Sequence, residues 1–304
     1  MKISESVQKA LDAGSPIVAL ESTIISHGLP YPQNLVAARE FEDQLLAAGV
    51  TPATIGIVDG VPIIGLDGAQ LEKIAAPGTA KSSVRDLPII AAKKINGATT
   101  VAATAHLAAK AGISVFATGG LGGVHRGAAE SFDESADLTT LATSPVVVVS
   151  AGVKSVLDIG ATLERLETLS VPLVGYRTKT FPSFWLPESE FEIDWSIQDA
   201  NEAAEIVFSS RALGSTAALL VANPVPVDQA WEQQEHDRVL ETAFAAASKA
   251  GVRGKAVTPF LLEYIVEASG GRSLEVNLSL VRNNISVAAE IAKAIAARGE
   301  TSKH

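Results

Sequence analysis

The sequence predicts an α/β fold: a mixed, mainly parallel sheet covered on both faces by helices. Short apolar runs rich in β-formers alternate with longer Ala/Leu/Glu/Lys stretches along the whole chain, the pattern of strands joined by helical crossovers. The bulk of the sequence is Ala, Val, Leu, Ile and Gly, the usual material of buried parallel strands. Two apolar runs are separated only by Asp59-Gly60, which reads as a hairpin and makes the sheet mixed.

The elements follow in order. Strands are expected at 16–20, 54–58, 62–66, 114–118, 146–150, 172–176 and 217–221. Helices are expected at 4–13, 34–48, 69–74, 87–95, 100–111, 155–169, 199–213, 226–250, 259–268 and 274–297. No low-complexity linker or internal repeat interrupts them, so one large domain over residues 1–304, with a core of about 3–297, is expected. The segment 177–196 breaks the rhythm. It holds Phe181, Phe184, Trp185, Phe191 and Trp195, five of the fifteen aromatic residues. It reads as a lid, a subunit-contact arm, or a loop pinned to the surface by its own aromatics.

Composition narrows the function. With 47 % apolar residues the 304-residue chain can bury a sizeable core. A net charge of −10 disfavours non-specific nucleic-acid binding but leaves room for a small phosphorylated ligand held by local cations. The absence of cysteine removes disulfides, thiolate catalysis and sulfur metal sites. The first residues lack the apolar stretch of a signal peptide, and apolar runs such as 145–153 are too short to span a bilayer. A cytoplasmic protein without membrane or nucleic-acid partners is expected.

Five segments could carry chemistry. In Ala19-Leu20-Glu21-Ser22-Thr23 a strand runs into a carboxylate. Ligands of open α/β sheets bind at such carboxyl ends, so Glu21 is a candidate general acid or base, or else a loop anchor. Lys81-Ser82-Ser83-Val84-Arg85 brings cations and hydroxyls ahead of a helix, suited to an anion or to an ordinary charged loop. Thr118-Gly119-Gly120-Leu121-Gly122-Gly123-Val124-His125 is a Gly-rich turn whose amides could approach a phosphate or sugar. Asp133 and Asp137 are four apart and would share a helix face, either as hard ligands for Mg²⁺ or Mn²⁺ or as a solvated acidic start. After the strand 146–150, Lys154 is expected to open a helix. A lysine there opposes the macrodipole, which would favour the neutral amine of a Schiff-base nucleophile; pairing with a bound phosphate is the alternative. His106 reads as packed or capping and His236 as solvated; His304 is the last residue.

Taken in order, ALESTIISHGLPYPQN, KSSVRDLP, FATGGLGGVHRGA, SFDESADL, SAGVKSVLDIGATLE, GYRTKTFPSFW, ALLVANPVP and LEVNLSLVRNNISVAAEIA resemble the pseudouridine-5′-phosphate glycosidases, also called the indigoidine synthase A family. The resemblance covers about residues 3–297. It implies a three-layer α/β/α fold assembled as a homotrimer. It also implies reversible conversion of pseudouridine 5′-phosphate and water to uracil and ribose 5-phosphate, with a divalent metal, usually Mn²⁺. By motif, Lys154 would be the nucleophile, Glu21 the proton donor and Asp133 the metal ligand. Ser135, Ala136 and Asp137, with Lys81 and Val101, would contact substrate, and Thr118, Gly119, His125 and Asn277 would hold phosphate or ribose. Lys179 and Thr180 depart from the more acidic or polar residues expected in the aromatic loop. A Schiff-base aldolase acting on another sugar phosphate, and a non-catalytic sugar-phosphate sensor, are the alternatives.

Overall fold

The computed structural model describes residues 1–252 and 257–301. Thirteen strands are formed among them: β1 Lys2–Ile3, β2 Ile17–Leu20, β3 Thr51–Val58, β4 Val61–Ile64, β5 Ala80–Ser82, β6 Gly97–Thr99, β7 Val115–Ala117, β8 Val124–His125, β9 Val147–Ser150, β10 Leu157–Asp158, β11 Leu173–Tyr176, β12 Ser196–Ile197 and β13 Leu219–Ala222. Eleven of them make one sheet, in the order β1-β4-β3-β2-β7-β9-β13-β11-β12, with β6 on β3 and β5 on β6. The run from β3 to β12 is parallel, whereas β4 and β6 lie antiparallel to β3. The sheet is mixed, as Asp59-Gly60 predicts. Asp59 (φ 51°) and Gly60 (φ 81°) both occupy the left-handed region, which the tight turn between two right-twisted strands demands.

Alternate residues of the central strands feed two cores. Val18, Leu20, Val115, Ala117, Val147 and Val149 pack on one side with residues such as Leu280 and Ile285 of the helix Arg272–Thr301. Ile17, Ala19, Phe116 and Val148 pack on the other with Ala103 and Leu107 of the helix Val101–Ala111. A strand covered on both faces reads as a continuous apolar run, and β2 and β9 are buried along their whole length. The result is the expected three-layer α/β/α arrangement.

Differences from the sequence expectations have local causes. The strands β1, β5, β6, β8, β10 and β12 have two or three residues each, too few to show a period. The helix expected at 155–169 begins at Ile159, capped by Asp158, whose carboxylate accepts from the Ala161 N–H at 2.9 Å. The helix expected from 226 begins at Gln233, where Glu232 caps it. His236 is buried rather than solvated, packed edge-on against Trp185 and Trp231. His106 is half-buried in its helix, as expected. His304 lies outside the described residues. The aromatic segment is fixed by its own side chains, since Phe181, Phe184 and Trp185 are buried in the core while Trp195 is exposed.

Candidate active site

Along the sheet, β2 and β7 are neighbours, but the chain leaves them in opposite directions, from β2 outward to β3 and from β7 to β9 on the other side. At such a divergence the loops beyond the carboxyl ends part and leave a crevice. Glu21 directly follows β2 and Thr118 directly follows β7. The Thr118 hydroxyl donates to Glu21 Oε1 across this point.

Three more groups surround the carboxylate. Burial pushes the Glu21 carboxyl above the usual range. The Lys154 ammonium, the Thr118 hydroxyl and the Lys81 ammonium act against that rise, and Asp137 adds to it. Lys81, on β5, is pulled below the ordinary lysine value by crowding of its amine and by Lys154, while Asp137 and Glu21 oppose the shift. Part of Lys81 is nevertheless open to solvent, so the desolvation is incomplete. Beside it, His27 on the π-helical turn Ile24–Gly28 is pushed down by burial and by Lys81. Glu21, Lys81, Thr118, Asp137 and Lys154 therefore form one electrostatic cluster although the sequence spreads them over 134 positions.

Lys154 is not at a helix N-terminus. It sits in the turn between β9 and β10, where its N–H donates to the Leu121 carbonyl at 3.1 Å and its own carbonyl accepts from Leu157 at 2.9 Å. The macrodipole that the sequence assigns to it therefore acts instead on Asp158, the cap of the helix that follows. What shapes the turn is Gly152, at φ 81°. A β-carbon there would lie inside the Pro182 carbonyl oxygen and 3.0 Å from the Phe181 ring.

The glycine-rich turn serves packing first. A β-carbon on Gly120 would fall 2.6 Å from the Phe184 ring, and one on Gly122 would fall 2.7 Å from Asp137 Oδ2. The Gly122 N–H donates to Asp137 Oδ2 at 2.7 Å, and the Ala102 N–H to Asp137 Oδ1 at 2.9 Å. Asp137, 5 % exposed, thus ties the turn to the first turn of the helix Val101–Ala111, the helix that Thr100 caps. The Val101 side chain itself is buried in the core.

Asp133 and Asp137 do not share a helix. Asp133 lies in the loop before the helix Ala136–Leu141, and only Asp137 is in that helix. Ser135 is the cap between them and accepts from the Asp137 N–H at 3.2 Å; Ala136, next to it, is exposed. Asp133 accepts at its backbone carbonyl from the His125 N–H at 3.0 Å, and its carboxylate stands 4.0 Å from His125 Nδ1. His125 on β8 pairs with Leu157 on β10, so Asp133 reaches the Lys154 turn through one strand pair. Among the described residues no three His, Asp or Glu side chains converge on a metal position. A hard divalent ion that retains several waters needs only one or two carboxylates, and the half-buried Asp133 carboxylate fits that requirement. Asn277 lies on the long helix, and its Oδ1 accepts from Trp185 Nε1 at 2.7 Å. That bond leaves its Nδ2 as the available donor.

Two polar residues with no assigned role in the sequence stand behind this cluster. Asn284 and Asn223 are buried and hydrogen-bonded to each other. Their only sequence signal is an amide inside an apolar stretch.

Comparison with known proteins agrees with this architecture. Residues 6–294 match the family described as indigoidine synthase A-like protein. A pseudouridine-5′-phosphate glycosidase of Frankia alni is 59 % identical over 97 % of this chain and 82 % of its own. The crystal structure of a prealnumycin C-glycosynthase in complex with ribulose 5-phosphate superposes with a TM-score of 0.91 at 34 % identity, covering 98 % of both chains. An indigoidine synthase A-like protein of Thermotoga maritima gives 0.87 at 39 % identity, over 93 % of this chain and 94 % of its own. The chain belongs to the indigoidine synthase A-like family.

Proposed function

We propose that this protein cleaves the carbon–carbon glycosidic bond of pseudouridine 5′-phosphate, giving uracil and ribose 5-phosphate. The observation that carries the proposal is the Glu21–Lys154 combination at the crevice between β2 and β7: a carboxyl that burial holds toward its protonated form, within electrostatic reach of an amine. Relatives at 59 % identity and below bear the name of this activity.

A C-glycoside has no good leaving group, so the paired carboxylates of ordinary glycosidases suit it poorly. An amine opens another route. Glu21, protonated, donates to the ribose ring oxygen as the neutral Lys154 Nζ adds at C1′, and the C1′–O4′ bond breaks. The adduct nitrogen gives up a proton, and its lone pair then expels uracil: the C1′–C5 bond breaks, its electron pair goes to C5, and C5 takes up the proton that the nitrogen released. The resulting imine between Nζ and C1′ adds water and collapses to ribose 5-phosphate and free Lys154. The iminium is an electron sink that the sugar alone lacks. Lys81, Val101 and the Ser135–Asp137 segment line the substrate site. Thr118, Gly119, His125 and Asn277 hold ribose or phosphate.

Asp133 would hold one Mn²⁺ per subunit, with water completing the shell, and the ion would supply charge neutralisation at the substrate. One catalytic unit of about residues 3–297, a homotrimeric assembly and a cytoplasmic location complete the proposal. No helix among the described residues is long and apolar enough to cross a membrane.

The test is incubation of the purified protein with pseudouridine 5′-phosphate and Mn²⁺, following uracil and ribose 5-phosphate by chromatography. Stoichiometric release of both supports the assignment. Cleavage of other sugar phosphates without uracil release would favour a Schiff-base aldolase, and tight ribose 5-phosphate binding without turnover would favour a sensor.

A further inference from the structure

The helix Arg272–Thr301 also carries Asn284, seven residues beyond Asn277, which reaches the carboxyl edge of the sheet. Asn284 is fully buried. Its Nδ2 donates to the carbonyl oxygen of Thr118 at 2.7 Å and to that of Gly119 at 3.3 Å. Its Oδ1 accepts from Asn223 Nδ2 at 2.9 Å. Asn223, the residue after β13, is itself fixed by its N–H, which donates to the Ser150 carbonyl at 2.8 Å. The amide orientation of Asn284 is forced, because carbonyl oxygens only accept: Nδ2 must face Thr118 and Gly119, and Oδ1 must face Asn223. One buried network thus joins the ends of β7, β9 and β13.

The network approaches Thr118 from the side of the sheet opposite Glu21. Leu280, Val281 and Ile285, around Asn284, belong to the core on one side of the sheet, whereas Phe116, two residues before Thr118, belongs to the other. Successive strand residues alternate faces, so the Thr118 side chain points toward Glu21 while its carbonyl is held from behind. The backbone bonding continues one step past the strand, since the Thr118 N–H donates to the Val149 carbonyl at 3.0 Å and the Gly119 carbonyl also accepts from the Ala151 N–H at 2.9 Å; what Asn284 adds is the hold on the Thr118 carbonyl.

We propose that Asn284, oriented by Asn223, is a positioning residue that holds the Thr118–Gly119 backbone so that the Thr118 hydroxyl stays aimed at Glu21. It touches neither substrate nor Glu21. The proposal rests on Glu21 being the proton donor. Satisfying two buried carbonyls would alone account for an asparagine here, so the test must register something that a merely structural role leaves alone.

The experiment is a ¹³C NMR titration of the Glu21 carboxyl in the glutamate-labelled full chain, assigned with Glu21→Gln, together with kcat and KM for pseudouridine 5′-phosphate. The Thr118 bond favours the ionised carboxylate, so weakening it moves the Glu21 titration to higher pH. Asn284→Ala should shift it in that direction, as should Thr118→Val, and should lower kcat about 10- to 100-fold. Combining the two should add little to Thr118→Val alone, since both act through one bond. Asn223→Ala should shift the titration in the same direction by less. A folded Asn284→Ala protein with unchanged Glu21 titration and unchanged kcat overturns the proposal. If Asn284→Ala does not fold, an unshifted titration in Asn223→Ala overturns it. If the wild type releases no uracil, the proposed function fails, while the Glu21 titration still decides the positioning role.

Discussion

Thr118, one residue past β7, donates its hydroxyl proton to Glu21, one residue past β2, and this bond bridges the two strands from which the chain departs in opposite directions. The carboxyl is thereby oriented at the crevice that the topology opens, with Lys154 and Lys81 close enough to act on its charge. The proton donor and the amine of the proposed reaction meet because of strand order, not sequence spacing.

Replacing Glu21 by Gln keeps the shape and removes the transferable proton. The expected loss in kcat is about 10²- to 10⁴-fold, with substrate affinity retained. Steady-state kinetics with uracil release as the readout checks this, and wild-type kcat in Glu21→Gln would remove Glu21 from the acid–base role.

Burial raises the Glu21 pKa in the folded protein, which fixes the sign of a stability change. A carboxyl raised on folding favours the native state below its unfolded pKa, and that contribution is lost as pH rises through the folded value. Urea midpoints of the wild type should therefore fall relative to those of Glu21→Gln as pH increases upward from about 4.3, the ordinary glutamate value. Glu42, raised by its own burial, is common to both proteins and cancels in the comparison. Parallel midpoint curves would contradict the burial assignment.

Gly152 sets the turn that presents Lys154. An alanine there meets both a left-handed φ and the Pro182 carbonyl. Gly152→Ala should cost on the order of 2–3 kcal/mol in urea unfolding and should reduce turnover of the protein that remains folded. Unchanged stability and activity would show that the turn tolerates a side chain.

Asp133 is the proposed metal ligand. Asp133→Ala should weaken Mn²⁺ binding by calorimetry about tenfold or more, and chelation should lower wild-type turnover reversibly. Equal Mn²⁺ affinity in the variant would place the ion elsewhere.

Much of this was legible in the sequence, for identifiable reasons. Apolar runs bounded by Gly and Pro mark the central strands because parallel strands are buried on both faces, and Asp59-Gly60 marks the hairpin because a two-residue turn demands left-handed backbone. Glu21 was legible as a carboxylate interrupting an apolar run at a strand's carboxyl end. The Lys154 environment is not legible because residues 155–158 carry helix-compatible side chains, yet Leu157 and Asp158 pair with His125 and Val124 from a distant part of the chain. His236 looked solvated because its sequence neighbours are charged, but its face of the helix meets Trp185 and Trp231. The pairing of Asn284 and Asn223 is not legible because their partners lie 166 and 61 residues away. Hydrogen bonds of that range follow from packing and have no period to read.

The central claim, a covalent bond from Lys154 to the pentose, is tested most directly by borohydride reduction of the wild type with ribose 5-phosphate, followed by peptide mass spectrometry. The expected result is a reduced pentose-phosphate adduct on the peptide containing Lys154, absent in Lys154→Ala, which should also be inactive. No adduct, an adduct on Lys81 instead, or a fully active Lys154→Ala protein would contradict the mechanism.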